Sequence, residues 1–166
     1  MLTEMITKEQ KLETILKDMN SVIVAFSGGV DSSLVLKKAI DVLGHDHVKA
    51  VIVKSELTRN EEFDQAIALA HQLNAQVIET EIEALKDPHI VENTPDSWYY
   101  SKRLLYSKLE ALRAQLNFNY VVDGMIMDDI NDFRPGLKAR TEFNVRSILQ
   151  EAELFKSDVR AMSKSN

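Results

Sequence analysis

The sequence has 166 residues, the length of about one domain. Hydrophobic residues make up 45% and charged residues 28%, which excludes a disordered or collagen-like chain. The formal net charge of −6 argues against a nonspecific nucleic-acid binder, which normally presents a basic face, and leaves open a local basic patch. The sequence contains no cysteine, and therefore no disulfide, thiolate metal site or thiol nucleophile. It has no apolar run of about 18 residues and no signal-peptide pattern, so we expect no membrane association and a cytoplasmic location.

Patterns typical of helices and strands alternate along the chain. Residues 8–19 place Leu12, Ile15 and Leu16 at helical spacing, and they predict a first amphipathic helix. Short apolar runs predict strands at 21–26, 48–53, 76–82 and 120–124. The segments between them predict helices at 30–44, ending at Gly44, at 60–73, with Asn60 as its cap, and at 96–116. Residues 125–151 predict a loop with short helical pieces, and a last helix begins at Ser157 or Asp158.

This alternation predicts a single α/β domain over residues 1–166, with a mostly parallel sheet between two layers of helices. Parallel sheets of this kind bind ligands at the carboxyl ends of their strands. We therefore expect a binding site just after Phe26, Val53 and Val122.

The turn after the first strand is the strongest functional signal in the sequence. It reads Ser27-Gly28-Gly29-Val30-Asp31-Ser32-Ser33 and joins an apolar strand to a helix. Its glycines allow a sharp turn and close approach of a ligand, and the helix start favours an anion. Asp31 adds a negative charge, which fits a phosphate site if a divalent cation bridges the two. The alternative is an ordinary strand-to-helix turn in which Asp31 or Ser32 caps the helix.

The same turn resembles the SGGxDS signature of the PP-loop superfamily, the N-type ATP pyrophosphatases, whereas Walker A and dinucleotide-binding patterns are absent. The resemblance implies an adenine nucleotide α-hydrolase-like, three-layer α/β/α fold. It also implies that the turn holds the β,γ-pyrophosphate of ATP while the α-phosphate is attacked. The residues expected to bind ATP are Ala25, Phe26, Ser27, Gly28, Gly29, Asp31, Ser32, Ser33, Val53, Lys54, Ser55 and Gly124. Val53 to Ser55 should face the adenine; Gly124 either lets the nucleotide pass or simply ends a strand.

Three further stretches, at residues 93–102, 123–136 and 149–160, are similar to the LarE family. This family comprises ATP-dependent sulfur transferases that help to build the nickel-pincer cofactor. The resemblance implies that the chain is the N-terminal ATP pyrophosphatase domain, with the sulfur-supplying cysteine in a second, smaller domain beyond residue 166. Some relatives bind an iron–sulfur cluster through a C-Y-x-C motif, where this chain has Trp98 and Ser101.

The resemblance also implies a reaction, in which the carboxylate of a pyridinium mononucleotide attacks the α-phosphorus of ATP with Mg²⁺ present. The expected catalytic residues are Asp31, Ser32, Asp129 and Arg134, and the expected metal ligands are Asp31, Asp129 and Asp132. The expected substrate contacts are Trp98, Lys102, Arg134 and Arg140. For several of these residues a plainer role stays open: a solvated acidic loop, an ion pair at Arg134, or packing by Trp98.

Two other functions remain open from the sequence. The chain could belong to another PP-loop ligase that thiolates tRNA or forms amides, although the net charge of −6 disfavours a tRNA substrate. It could also be a module that binds ATP or AMP without chemistry. The resemblance to LarE further suggests a closed homo-oligomer.

Overall fold

The computed structural model describes residues 2–56, 58–91, 97–129 and 135–165. The strands are β1 (Val22–Ala25), β2 (Val48–Lys54), β3 (Gln76–Glu81) and β4 (Tyr120–Val122). The longer helices are α1 (Leu2–Met19), α2 (Val30–Leu43), α3 (Asn60–Gln72), α5 (Ser97–Leu116), α6 (Pro135–Glu142) and α8 (Lys156–Ser165). Two further α-helices have four residues each, α4 (Pro88–Val91) and α7 (Ile148–Glu151).

The four strands form one parallel sheet in the order β3-β2-β1-β4. In the centre of the sheet, Val24 pairs with Ala50 on one side and with Val122 on the other. Arg146 adds a single parallel bridge outside β4, opposite Val122. The parallel sheet predicted from the alternating pattern is confirmed.

Helices cover both faces of this sheet. Val22 and Val24 of β1 belong to one buried cluster, together with Leu16 of α1 and Leu36 of α2. Ile23 points the other way and packs in a second cluster, which includes Leu109 of α5. Because successive side chains of a strand point to opposite faces, a short apolar strand can serve both clusters. The three-layer α/β/α architecture is therefore confirmed.

The structure shifts several predicted boundaries. The first helix begins at Leu2, well before residue 8. The prediction that Asn60 caps the third helix is wrong, since Asn60 is its first residue and Arg59 holds the cap position. The last helix begins at Lys156, one residue before the predicted start. Gly44 ends α2 as predicted, with a φ of 91° and its N–H donated to the Ile40 carbonyl.

Across the described residues, every helix is either too short or too polar to cross a membrane.

Candidate functional site

A cavity of about 390 Å³ opens at the carboxyl ends of β1, β2 and β4, where the fold predicts a ligand. It brings together most of the side chains and turns that the sequence singled out. The expected site residues that line it are Ala25, Phe26, Ser27, Gly29, Asp31, Ser32, Val53, Lys102, Gly124 and Asp129. Residues far apart in the sequence thus share one site because parallel strands end at the same edge.

The glycines shape the turn after β1. Gly28 has a φ of 85°, a backbone conformation that disfavours L side chains. A Cβ on Gly28 would also lie 3.2 Å from the Cβ of Ala66 on α3. Gly29 holds the cap position of α2 and no side chain caps this helix, so the alternative in which Asp31 or Ser32 is the cap is wrong.

The serine hydroxyls of the turn bond mainly to one another and to the turn's own backbone. The Oγ atoms of Ser27 and Ser32 are 3.0 Å apart, and the backbone N–H of Ser27 donates to Ser32 Oγ at 3.3 Å. Ser33 donates its hydroxyl to the Gly29 carbonyl at 2.7 Å and is absent from the lining of the cavity. These bonds connect the serine side chains of the turn to one another and to its backbone.

Asp31 forms an ion pair across the mouth of the cavity. Its Oδ1 accepts a hydrogen bond from Nζ of Lys156, the first residue of α8, at 2.9 Å. The sequence assigned no role to Lys156, although it lies in the third LarE-like stretch. Only the fold brings it to Asp31, 125 positions earlier in the chain. Lys156 thus supplies a cation beside the turn that an anion would occupy.

The aspartates that follow β4 also accept hydrogen bonds from the backbone. Oδ1 of Asp128 accepts the backbone N–H of Lys156 at 3.1 Å, and Oδ2 of Asp129 accepts that of Ile126 at 2.9 Å. Asp129 lines the cavity, whereas Asp132 and Arg134 lie outside the described residues. Within the described ranges, no three Asp, Glu, His or Cys side chains form a group that could hold a metal by themselves.

A buried carboxylate that the sequence did not single out for a role forms part of the cavity wall. Asp123 follows β4 and is 6% exposed. It accepts hydrogen bonds from the Tyr106 hydroxyl at 3.2 Å and the Met125 backbone N–H at 3.2 Å. Burial raises the pKa of the Asp123 carboxyl, against its hydrogen bonds and the charge of Arg140, which lower it. The sequence predicted a binding site directly after Val122, where Asp123 lies, but gave this carboxylate no role.

Gly124 lines the cavity, and it also has a steric role that the sequence did not predict. A Cβ at this position would lie 2.8 Å from the backbone nitrogen of Ser32 and 3.0 Å from its Cα. Because these atoms belong to the first turn of α2, the residue must be glycine for β4 and α2 to approach. The close neighbour of Gly124 is therefore the start of α2, which follows directly from the glycine turn.

Three expected contacts lie away from this cavity. The ammonium of Lys54 lies 5.2 Å from the ring centroid of Phe63, and the backbone N–H of Ser55 donates to Thr58 at 3.1 Å. Arg140 donates to Ser147 at 2.9 Å and to Gln150 at 2.7 Å, and it lines a separate cavity of about 610 Å³. Lys54 and Ser55 come directly after Val53 but do not line this cavity, while the charge of Arg140 still acts on Asp123 in the cavity wall. The side chain of Trp98 lies outside the described residues.

The parallel sheet, the glycine turn leading into α2 and the mixed charges at the cavity mouth define an α/β protein with the PP-loop fold. The chain belongs to the NAD synthase family, which matches its residues 4–121.

Relatives of known sequence support the LarE resemblance. The chain is 55% identical over 157 residues to pyridinium-3,5-bisthiocarboxylic acid mononucleotide synthase of Lactiplantibacillus plantarum, covering 95% of this chain and 57% of that protein. The chain therefore spans a little over half the length of this curated relative.

Solved structures share the fold at low sequence identity. Glutamine-dependent NAD⁺ synthetase from Acinetobacter baumannii, in complex with ADP, aligns with a TM-score of 0.70 and 19% identity over 98% of this chain and 31% of that one. NH3-dependent NAD synthetase from Campylobacter jejuni aligns with a TM-score of 0.61 and 15% identity over 97% of this chain and 84% of that one.

Proposed function

We propose that this chain binds ATP and transfers its adenylyl group to a substrate carboxylate, releasing pyrophosphate, as the ATP-binding part of a LarE-type sulfur transferase. One observation carries the proposal: the cavity joins the Ser27–Ser33 turn, the start of α2 and the ammonium of Lys156. This is an anion site at the ligand-binding edge of a parallel sheet.

The turn is suited to the leaving pyrophosphate. The first amides of α2 lack helical acceptors, and the helix dipole adds partial positive charge at the same end. Because the serine hydroxyls already brace the turn, binding requires little rearrangement. The same turn therefore stabilises the negative charge that grows on pyrophosphate as it leaves.

Two lysines add positive charge from opposite walls. Lys156 reaches the turn from α8, and Lys102 reaches the cavity from α5. The ammonium of Lys102 also lies 6.0 Å from the ring centroid of Tyr106. We assign Lys156 to the phosphates and Lys102 to the anionic substrate. Three acidic residues, Asp31, Asp123 and Asp129, line the same cavity. Together with the phosphates of ATP they favour binding of a further cation.

Mg²⁺ fits this need. The ion usually takes one or two protein carboxylates together with phosphate oxygens and water, so two acids on the cavity wall suffice. Asp31 and Asp129 would hold it, while Asp132 stays a prediction outside the described residues. When bound, Mg²⁺ neutralises phosphate charge and withdraws electrons from the α-phosphorus. Lys156 would then exchange its contact with Asp31 for a phosphate oxygen.

The chemical step needs positioning more than acid–base catalysis. An oxygen of the substrate carboxylate forms a bond to the α-phosphorus, and the bond from that phosphorus to the bridging oxygen breaks. The electron pair leaves on pyrophosphate, and an acyl adenylate remains. The residues of the cavity hold the two anionic reactants in line against their mutual repulsion.

The substrate class rests on the relative's name. A protein 55% identical to this chain is called a pyridinium-3,5-bisthiocarboxylic acid mononucleotide synthase. We therefore propose a pyridinium mononucleotide carboxylate as the acceptor of the adenylyl group. The sequence contains no cysteine, so the sulfur donor is not among these 166 residues. A homo-oligomer and a cytoplasmic location remain predictions.

Calorimetry with ATP and Mg²⁺, followed by a pyrophosphate-release assay, tests the proposal. We expect micromolar ATP binding, and release of pyrophosphate only when the pyridinium carboxylate is added. Asp31→Asn should abolish release, whereas Asp64→Asn, at an exposed site on α3, should behave like the unmodified chain.

Other results would support other functions. Release with a different carboxylate, ammonia or tRNA would identify another PP-loop ligase. Binding without release under any of these conditions would favour a non-catalytic module, and failure to bind ATP would refute the proposal.

A further inference from the structure

The N-terminal helix contacts the segment that carries Lys156. The ammonium of Lys8 on α1 lies 2.9 Å from Oδ2 of Asp158 on α8, a residue 150 positions later in the chain. The same ammonium lies 5.3 Å from the ring centroid of Phe155. Lys8 therefore touches the residues on both sides of Lys156, without lining the proposed ATP cavity itself.

Asp158 transmits this contact to the backbone. Its Oδ2, the atom that meets Lys8, also accepts the backbone N–H of Phe155 at 2.9 Å. Phe155 precedes α8, and Asp158 is the third residue of that helix, so this bond is one half of a capping box. One oxygen atom thus ties the charge on α1 to the start of α8.

The cap sets the position of Lys156 directly. Lys156 lies between Phe155 and Asp158, and its own N–H is held by Asp128 at 3.1 Å. Its long side chain must then reach Asp31 Oδ1 at 2.9 Å. A shift in the start of α8 would displace the ammonium from the turn, because the backbone from Phe155 to Asp158 would move as a unit.

We propose that Lys8 is a positioning residue for the ATP site: through Asp158 and Phe155 it fixes the backbone from which Lys156 reaches the phosphate-binding turn. This inference rests on the proposed function. Lys8 never meets the nucleotide, and its effect passes through Lys156.

The same pair of segments offers a matched control. Lys11, one turn further along α1, lies 3.9 Å from Glu153, and these side chains are 50% and 67% exposed. The side chains of Lys8 and Asp158 are 24% and 20% exposed, so water screens their interaction less. Both lysines carry the same charge and lie on the same helix. Lys8 contacts Asp158, the residue that caps α8, whereas Lys11 contacts Glu153.

The test is a thermodynamic cycle on the full chain. Calorimetric Kd values for ATP with Mg²⁺ are measured for the unmodified chain, Lys8→Met, Lys8→Arg, Lys11→Met, Lys156→Met and the Lys8→Met/Lys156→Met double variant. We expect Lys8→Met to raise Kd about fivefold, the scale of one partly buried ion pair. Lys8→Arg should restore most of the affinity, Lys11→Met should change nothing, and Lys8→Met should add nothing once Lys156 is gone.

A second readout does not depend on nucleotide. Amide hydrogen exchange at Phe155 and Lys156 should accelerate in Lys8→Met and stay unchanged in Lys11→Met. Asp158→Asn, which keeps an oxygen for the Phe155 amide but loses the charge, serves if Lys8→Met fails to fold.

The outcomes separate the two proposals. Unchanged exchange, or an equal loss of ATP affinity with and without Lys156, would overturn the role of Lys8. If the unmodified chain does not bind ATP while exchange still responds to Lys8, the proposed function fails and the structural link between α1 and Lys156 stands.

Discussion

Nζ of Lys156 and Oδ1 of Asp31 lie 2.9 Å apart, so a cation and an anion meet at the mouth of the cavity. Their side chains are 34% and 27% exposed, which leaves both accessible to a ligand. A phosphate would compete with Asp31 for Lys156, and a metal ion would compete with Lys156 for Asp31. The two residues should therefore affect nucleotide binding in opposite ways when no metal is present.

The first prediction separates these effects. Without Mg²⁺, Lys156→Met should weaken ATP binding about tenfold, the scale of a hydrogen bond to a charged group. Asp31→Asn should strengthen it, because a negative charge beside the phosphates is removed. With Mg²⁺ present, both changes should weaken binding. Calorimetry in EDTA and in Mg²⁺ measures all four values, with Asp64→Asn as the control; equal effects of both changes in EDTA would contradict the competition.

The second prediction concerns the contact between β4 and α2. Gly124→Ala would place a methyl group 2.8 Å from the Ser32 nitrogen, and should lower the free energy of unfolding by about 2 kcal/mol through overpacking. Gly29→Ala is the control, since its nearest contact would be an ordinary 3.5 Å to Ser27 Oγ. Urea denaturation of both variants provides the comparison. Equal stability of the two would show that β4 and α2 can separate without cost.

The third prediction follows from the raised pKa of Asp123. Burial makes the folded chain hold the Asp123 proton more tightly than the unfolded chain, whose ordinary pKa is about 4. The stability from this proton is complete below that pH and is lost as pH rises through the folded pKa. Asp123→Asn has no proton to lose at this position, so its stability does not fall in this pH range for that reason. The difference in the free energy of unfolding, variant minus unmodified chain, should therefore increase from about pH 4 upward and then level off.

Urea titrations between about pH 4 and pH 9 measure this difference. Asp64→Asn, on the exposed face of α3, is the control for the loss of one carboxylate. A difference for Asp123→Asn that does not change with pH would contradict the prediction, because the folded chain would then hold the Asp123 proton no more tightly than the unfolded chain.

The fourth prediction concerns a buried lysine outside the site. Lys38 of α2 is 4% exposed and pairs with Glu9 and, at 3.6 Å, with Glu13, both on α1. Lys38→Met should change the free energy of unfolding by less than about 1 kcal/mol, because methionine fills the space and the partly exposed glutamates can be solvated. Glu9→Gln combined with Glu13→Gln should cost about 2 kcal/mol, because a buried ammonium is left unpaired.

Glu153→Gln serves as the control for this pair of variants, since its carboxylate is 67% exposed. Chemical denaturation of the three variants is sufficient. If Lys38→Met proved the more damaging change, the pair itself would hold α1 to α2.

The layered fold could be predicted because the patterns that specify its strands and turns each lie within a short stretch of sequence. Val22, Ile23 and Val24 form an apolar run too short for a helix, and the turn after it contains Gly28 in a conformation that glycine adopts far more readily than other residues. Each of these features can be recognised within a few residues. The cap of α3 could not be predicted in this way, since Arg59 occupies the cap position without a side-chain capping hydrogen bond.

The contacts between distant segments could not be obtained in this way. Nothing near Lys156 in the sequence indicates that it meets Asp31, and nothing near Gly124 indicates that Ser32 lies against it. Arg140 is close to a motif in sequence but lines a separate cavity, so its contact with the substrate stays a prediction. Such relationships depend on how helices pack on the sheet, which no local pattern specifies.

The ion pair between residues 31 and 156 also has a consequence for synthesis of the chain. The Ser27–Ser33 turn is translated early, but Lys156, which supplies the positive charge beside it, is translated more than a hundred residues later. A nascent chain that has completed the first two strands would contain the turn but would lack Lys156 and the start of α8, which Lys8 contacts. Nucleotide affinity should therefore rise only when α8 leaves the ribosome, and ATP would preferentially stabilise chains in which α1 and α8 have already met.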